Sequence, residues 1–184
     1  TCGIVGNLRQ DGSAEDIPGR NAIGPINHDE PALARDVVEY VGHPVAAVAA
    51  ESLSIARAAA DLVDIEYEPL PPVLTIEEAI AATRLVSPEL VIQRGEVGLA
   101  LGYAPLRLQG EVRCGGQDHF YLEGQIALAM PGEDRDMQVY SSTQHPTEVQ
   151  HGVARVLGLP YNAVTVEVRR MGGAFGGKES QATI

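Results

Sequence analysis

The sequence predicts an α+β fold in two successive pieces, and three observations carry that expectation. Short runs of alternating apolar and polar residues mark strands, and apolar residues at helical spacing mark helices between them. No internal repeat or low-complexity tract interrupts this mixture, so strands with packed helices form the architecture. A chain of 184 residues can bury a sizeable core as one domain or two small ones.

Residues 1–12 match no element pattern. Val37 to Val41 and Val45 to Ala49 read as a strand pair joined through Gly42-His43-Pro44. A helix follows over about Leu53 to Leu62, with Ile55, Ala58, Ala59 and Leu62 on one side. Val63, Ile65 and Tyr67 then alternate with Asp64, Glu66 and Glu68, a strand with its carboxylates on a solvated edge. Pro69-Leu70-Pro71-Pro72 ends it, since proline cannot donate to a ladder. Thr75 and Glu78 form a capping box that opens a short helix towards Ala82.

Ser87-Pro88 and Arg94-Gly95 mark the boundary, giving pieces of 1–90 and 91–184. Leu106, Leu108, Gly110 and Val112 alternate as a strand. Ile126 to Met130 and Met137 to Tyr140 read as a hairpin linked through Pro131-Gly132. Pro146 suits the first turn of a helix reaching Leu157, with Gly158 as its stop and Val149, Val153 and Val156 as its core stripe. Val164 to Val168 is a last alternating strand.

Composition excludes several functions. With 45% apolar residues the chain is globular, and no run of 18 apolar residues offers a membrane span. Its start lacks the basic-then-apolar layout of a secretory signal. A net charge of −12 argues against nucleic acid, whose phosphates it would repel. Cys2 and Cys114 form no metal or redox motif and read as free thiols, Cys114 as a small buried side chain. His145 and His151 are six apart, about 240° around a helix, and cannot share a metal as an i, i+4 pair would.

The densest signal is Arg169-Arg170-Met171-Gly172-Gly173-Ala174-Phe175-Gly176-Gly177-Lys178-Glu179. Four glycines in six positions cost about 2–4 kcal/mol of extra backbone entropy. A turn or cap needs one or two, so the surplus implies a backbone that a large polar group approaches closely. Gly172-x4-Gly177-Lys178 nearly completes a phosphate-binding loop, but Glu179 stands where a magnesium-binding hydroxyl is needed. Upstream, Gly115-Gly116-Gln117-Asp118-His119-Phe120-Tyr121-Leu122-Glu123 is a second polar, glycine-bearing segment. Gln117 there offers two amide donors and a carbonyl acceptor.

Together with Ser141-Ser-Thr-Gln-His-Pro146 between them, these segments resemble the molybdenum hydroxylases, specifically their molybdopterin-binding part. Tyr40-Val-Gly-His-Pro-Val45, Ala50-Glu-Ser52, Ile65-Glu-Tyr-Glu-Pro-Leu-Pro71 and Thr75-Ile-Glu-Glu-Ala79 resemble the preceding hammerhead domain of xanthine dehydrogenase-type members. The match runs in the family's order from about Ser13 to Ile184. It implies a partial α/β-hammerhead domain followed by the first segment of a molybdopterin-cofactor-binding domain.

The resemblance further implies a molybdenum held by pyranopterin sulfurs with no direct protein ligand, which suits a chain without a Cys/His ligand cluster. Gln117 would donate to the apical oxo group. Gly116, Phe175 and Gly176 would lie against the cofactor, and Glu179 would hydrogen-bond a purine. A charge-assisted contact of that kind contributes about 1.5–3 kcal/mol. Relatives acting on aldehydes tend to carry an apolar residue at that position, which favours xanthine or hypoxanthine here. Otherwise Glu179 is a loop-end carboxylate paired with Lys178 or Arg170. Ala174 departs from the third glycine of many relatives.

By the same resemblance the general base lies beyond the end of this chain, so no residue here is a catalytic one. The expected partners are the remainder of the molybdopterin subunit and the 2Fe-2S and FAD domains or subunits, with electrons passing to NAD, in the cytoplasm. The chain on its own is expected to be inactive. Alternatives are hydroxylation of another N-heterocycle, an aldehyde or carbon monoxide, or a non-catalytic assembly domain.

Overall fold

The computed structural model describes residues 2–6, 17–24 and 26–179. Along them run β1 (Cys2–Gly6), β2 (Ala46–Ala50), α1 (Leu53–Ala60), α2 (Ile76–Ala81), α3 (Val97–Tyr103), β3 (Ala127–Pro131), β4 (Met137–Ser141), α4 (Pro146–Leu157) and β5 (Val164–Glu167). The chain divides into two units, 1–63 with 117–184 and 64–116.

In the first unit, β3 and β4 pair antiparallel, Ala127 opposite Ser141 and Pro131 opposite Met137. β4 and β5 pair parallel, Met137 opposite Val164 and Tyr140 opposite Glu167, so α4 is the crossover of a β-α-β unit. Val139, Val149, Ala154 and Val164 form its core, with Met137, Val153, Leu159 and Val166 packed around them. The α4 bounds follow from its caps. Pro146 occupies the first turn, and Gly158 at φ +64° donates its N–H to Ala154 and Arg155.

The far end of α4 is covered by residues from much earlier in the chain. Gly19 donates its N–H to the Val156 carbonyl at 2.8 Å, and Arg20 donates to Arg155 at 2.9 Å. The Arg155 guanidinium donates in return to the Ala22 carbonyl at 3.2 Å. Asn21 and Leu33 exchange two hydrogen bonds across that segment.

Three expected strands are absent. Residues 37–41 instead lead into a turn closed by the buried His43. The His43 N–H donates to the Tyr40 carbonyl, the Glu39 N–H donates to His43 Nδ1, and the two rings stack at 4.6 Å. Gly42 reaches φ +94° there, which no strand permits. Its neighbour β2 begins one residue later than expected and pairs antiparallel with β1, Cys2 opposite Ala50 and Gly6 opposite Ala46. That places residues 2–6, which had matched no pattern. Residues 63–67 and 106–112 carry alternation, yet neither has a pairing strand among the described residues, and alternation alone does not make a sheet.

In the 64–116 unit, Thr75 caps α2 with the full capping box, its hydroxyl accepting from Glu78 N–H while Glu78 accepts from the Thr75 N–H. A bond from the Leu74 N–H, then those from the Thr75 hydroxyl and N–H, hold the Glu78 carboxyl below its ordinary value. The helix α3 was not anticipated, since Gly98 and Gly102 lower its propensity. Cys114 is exposed, not buried: the run around it belongs to no helix or strand, and its neighbour Arg113 reaches α2 only through an exposed ion pair with Glu77. Among the described residues no helix is long and apolar enough to cross a membrane.

Candidate functional site

The three motif segments converge. Residues 119–125 run beside the glycine loop 172–178, and the junction 142–144 between β4 and α4 closes on the same loop. The Glu123 N–H donates to the Gly172 carbonyl at 3.2 Å. Gln125 donates its side-chain amide to the Gly177 carbonyl at 3.2 Å. From the junction, the Gln144 N–H donates to the Lys178 carbonyl at 2.8 Å, and the Thr143 hydroxyl donates to it at 3.1 Å. Gln144 Oε1 accepts from the N–H groups of Gly176 and Lys178, at 3.1 and 3.4 Å.

At the centre sits Lys178, with no solvent exposure. Its ammonium donates to Glu123 Oε2 at 2.9 Å and to the Ser142 hydroxyl at 2.8 Å, and it lies 4.7 Å from the centre of the Tyr121 ring. The same Glu123 oxygen accepts from the Ser142 hydroxyl at 2.5 Å and the Gly172 N–H at 2.9 Å. The Ser142 hydroxyl, the Gly172 N–H and then Lys178 hold the Glu123 carboxyl at about 2, well below its ordinary 4.5. A lysine so occupied cannot reach a bound phosphate, which removes the phosphate-loop reading. It is equally unavailable to Glu179, whose alternative pairing with Lys178 is not made.

The glycine surplus has a different cause from the one the sequence suggested. A Cβ on Gly172 would fall 2.5 Å from Glu123 Cβ, and one on Gly177 would fall 2.7 Å from the Tyr121 ring and 2.9 Å from His119. The group approaching closely at both is the chain's own 119–123 segment. Gly173 and Gly176 are needed for conformation, at φ +100° and +92°. At Gly116, the last residue of the 64–116 unit, nothing lies within 4 Å of the Cβ position.

Phe175 shares with Phe120, in the neighbouring 119–125 segment, an exposed aromatic side chain on a positive-φ backbone. It is a non-glycine residue at φ +51°, a conformation costing an L-residue about 1–2 kcal/mol, and its side chain is 75% exposed. Burial offsets nothing at that position. Gly176 and Glu179 beside it are exposed, as is Gln117 at the start of the 119–125 segment. The loop thus shows an exposed aromatic, an exposed carboxylate and glycine backbone, on a foundation of buried hydrogen bonds. Among the described residues no group of three or more His, Cys, Asp and Glu side chains could hold a metal ion.

Sequence reasoning named Gln117, Phe175, Gly176 and Glu179 but missed Glu123, Ser142, Gln144 and Lys178 as the frame beneath the glycine loop. All four lie inside the segments it had singled out.

Two family models match the chain: the aldehyde oxidase and xanthine dehydrogenase a/b hammerhead domain over residues 12–71, and the molybdopterin cofactor-binding domain over 81–184. A xanthine dehydrogenase/oxidase of Felis catus is 44% identical over 94% of the chain, and one of Gallus gallus 45% over 94%. An aldehyde oxidase 1 of Oryctolagus cuniculus is 48% identical over 88%. The chain spans 13% of the length of the first two relatives and 12% of the third. Among solved structures, quinoline 2-oxidoreductase from Pseudomonas putida 86 matches with a TM-score of 0.68 at 29% identity, over 84% of this chain and 21% of that one. Aldehyde oxidoreductase from Desulfovibrio gigas matches in fold with a TM-score of 0.77 over 96% of this chain and 21% of that one.

Proposed function

The chain belongs to the molybdenum hydroxylase family of aldehyde oxidases and xanthine dehydrogenases, and on that premise we propose that its full protein hydroxylates purines such as xanthine or hypoxanthine. Residues 1–90 form its hammerhead portion and 91–184 the first segment of its molybdopterin-binding domain. The single observation that carries the reading is the convergence of segments 119–125, 142–144 and 172–178 beneath an exposed, strained Phe175.

The molybdenum–molybdopterin group, when bound, supplies the two-electron oxidation at an electron-poor carbon. The chain's own residues bind and orient. Gln117 offers its side-chain amide to the cofactor's oxo face. Phe175 and Gly176 form an apolar and backbone surface against it, and the Gly116 backbone lies along the same cofactor. Glu179 accepts a hydrogen bond from the purine ring and selects it over substrates without a donor there. The general base, the 2Fe-2S and FAD groups and the NAD-reducing step belong to the remainder of the protein and its partners, and the location is cytoplasmic.

A second reading, oxidation of an aldehyde or another N-heterocycle, is favoured by the 48% identity to an aldehyde oxidase and the likeness to a quinoline oxidoreductase. Glu179→Val in the full protein separates the two. Xanthine turnover falls by 10-fold or more with aldehyde turnover little changed if Glu179 reads the purine; equal losses remove it from that role. The 184-residue chain alone, assayed for molybdenum and xanthine turnover, should show neither, and stoichiometric metal with turnover would overturn that expectation.

A further inference from the structure

We propose that Glu123 and Lys178 form a positioning clamp that sets how Phe175 and Gly176 are presented to the cofactor. What the clamp positions rests on the molybdenum hydroxylase reading; that it exists does not.

The pair joins residues 55 apart in sequence, with the ammonium sealed from solvent and the carboxylate side chain 36% exposed. Two of the three ammonium protons have named acceptors, and the charge faces the Tyr121 ring. Glu123 Oε2 meanwhile takes three donors from two segments: Ser142 in the junction after β4, and the Gly172 N–H and Lys178 ammonium from the start and near the end of the glycine loop. One oxygen therefore pins both ends of the loop to one point. Between the pins lie Gly173 and Gly176, free to turn, and Phe175, held against its backbone preference. A loop with two left-handed glycines keeps a strained residue in place only if its ends are fixed. The clamp is asymmetric: removing the carboxylate strands a buried charge, whereas removing the ammonium leaves a carboxylate that water and two other donors still satisfy.

The experiment compares Glu123→Gln, Lys178→Met and the double variant in the full protein by hydrogen–deuterium exchange, with turnover and molybdenum content measured in parallel. Amides 172–178 should exchange at least tenfold faster in Glu123→Gln, less so in Lys178→Met, and more slowly in the double variant than in Glu123→Gln. Amides 137–141 of β4 serve as the control for intact folding. Purine kcat should fall in Glu123→Gln by more than molybdenum content does and recover in part in the double variant. Exchange within twofold of wild type in both single variants, or strictly additive effects in the double, overturns the clamp. Accelerated, coupled exchange with kcat per molybdenum unchanged overturns the positioning role. A wild-type protein without molybdenum or turnover, but with coupled exchange, leaves the clamp standing and removes the hydroxylase reading instead.

Discussion

Replacing Gly177 by alanine tests whether the 119–123 segment truly packs against the glycine loop. Gly177 is buried and its backbone lies outside the left-handed region, so any cost is steric. The added methyl would sit 2.7 Å from Tyr121 Cε1 and 2.9 Å from both Cγ and Nδ1 of His119, ring atoms that cannot fold away as the tip of a flexible chain would. Overpacking of this kind costs about 1–3 kcal/mol. Alanine also restricts the unfolded chain, a gain of about 0.4–1 kcal/mol, so the net loss is about 0–2.6 kcal/mol, about 1.3 kcal/mol at the midpoint. At 1.4 kcal/mol per tenfold, amide exchange over 119–123 and 172–178 should accelerate by about tenfold, and by no more than about 70-fold. Gly116→Ala is the matched control. Nothing stands within 4 Å of its Cβ and no left-handed φ is needed, so exchange near it should change by less than about twofold. If Gly177→Ala proves as silent as Gly116→Ala, the segments do not pack as described and the frame beneath Phe175 is lost with them.

Two other outcomes follow from the same geometry. The Glu123 carboxyl is held at about 2 against an ordinary 4.5, so its protonation favours the unfolded loop. Its stabilisation is complete above the ordinary value and is lost as pH falls from about 4.5 towards 2. Exchange of amides 172–178, corrected for intrinsic rates, should rise over that window in wild type and stay flat in Glu123→Gln. Phe175→Ala should leave the thermal midpoint within a degree or two, because a 75%-exposed ring contributes little to packing. Its purine turnover should nevertheless fall about tenfold or more; unchanged turnover would show the exposed ring to be idle.

What was legible in the sequence was local. The α4 bounds were written in Pro146 and Gly158, the α2 start in Thr75 and Glu78, and the β3–β4 hairpin in alternation around Pro131-Gly132. Each signal spans a few residues and needs no distant partner. Two failures needed one: residues 63–67 and 106–112 alternate without a strand to pair with. Residues 37–41 failed for a local reason, yielding to a turn that the His43 side chain closes. At the site, the exposed edge was legible because Gln117, Phe175 and Glu179 sit in dense motifs. The frame was not, because Glu123 meets Lys178 across 55 residues, and a lysine after two glycines looks like a phosphate ligand until its surroundings are known.

The helix α4 acts as a strut about 18 Å long, at 1.5 Å for each of its 12 residues. One end abuts residues 142–144, which grip the glycine loop, and the other is gripped by residues 19–22. Severing the polypeptide between residues 71 and 81, where the two family matches part, would therefore uncouple more than it separates. The carbonyls of Arg155 and Val156 would lose their donors, and a shift there would travel along a rigid rod to the residues carrying Phe175. In this sense residues 19–22, inside the hammerhead match, brace a helix that belongs to the molybdopterin-domain match.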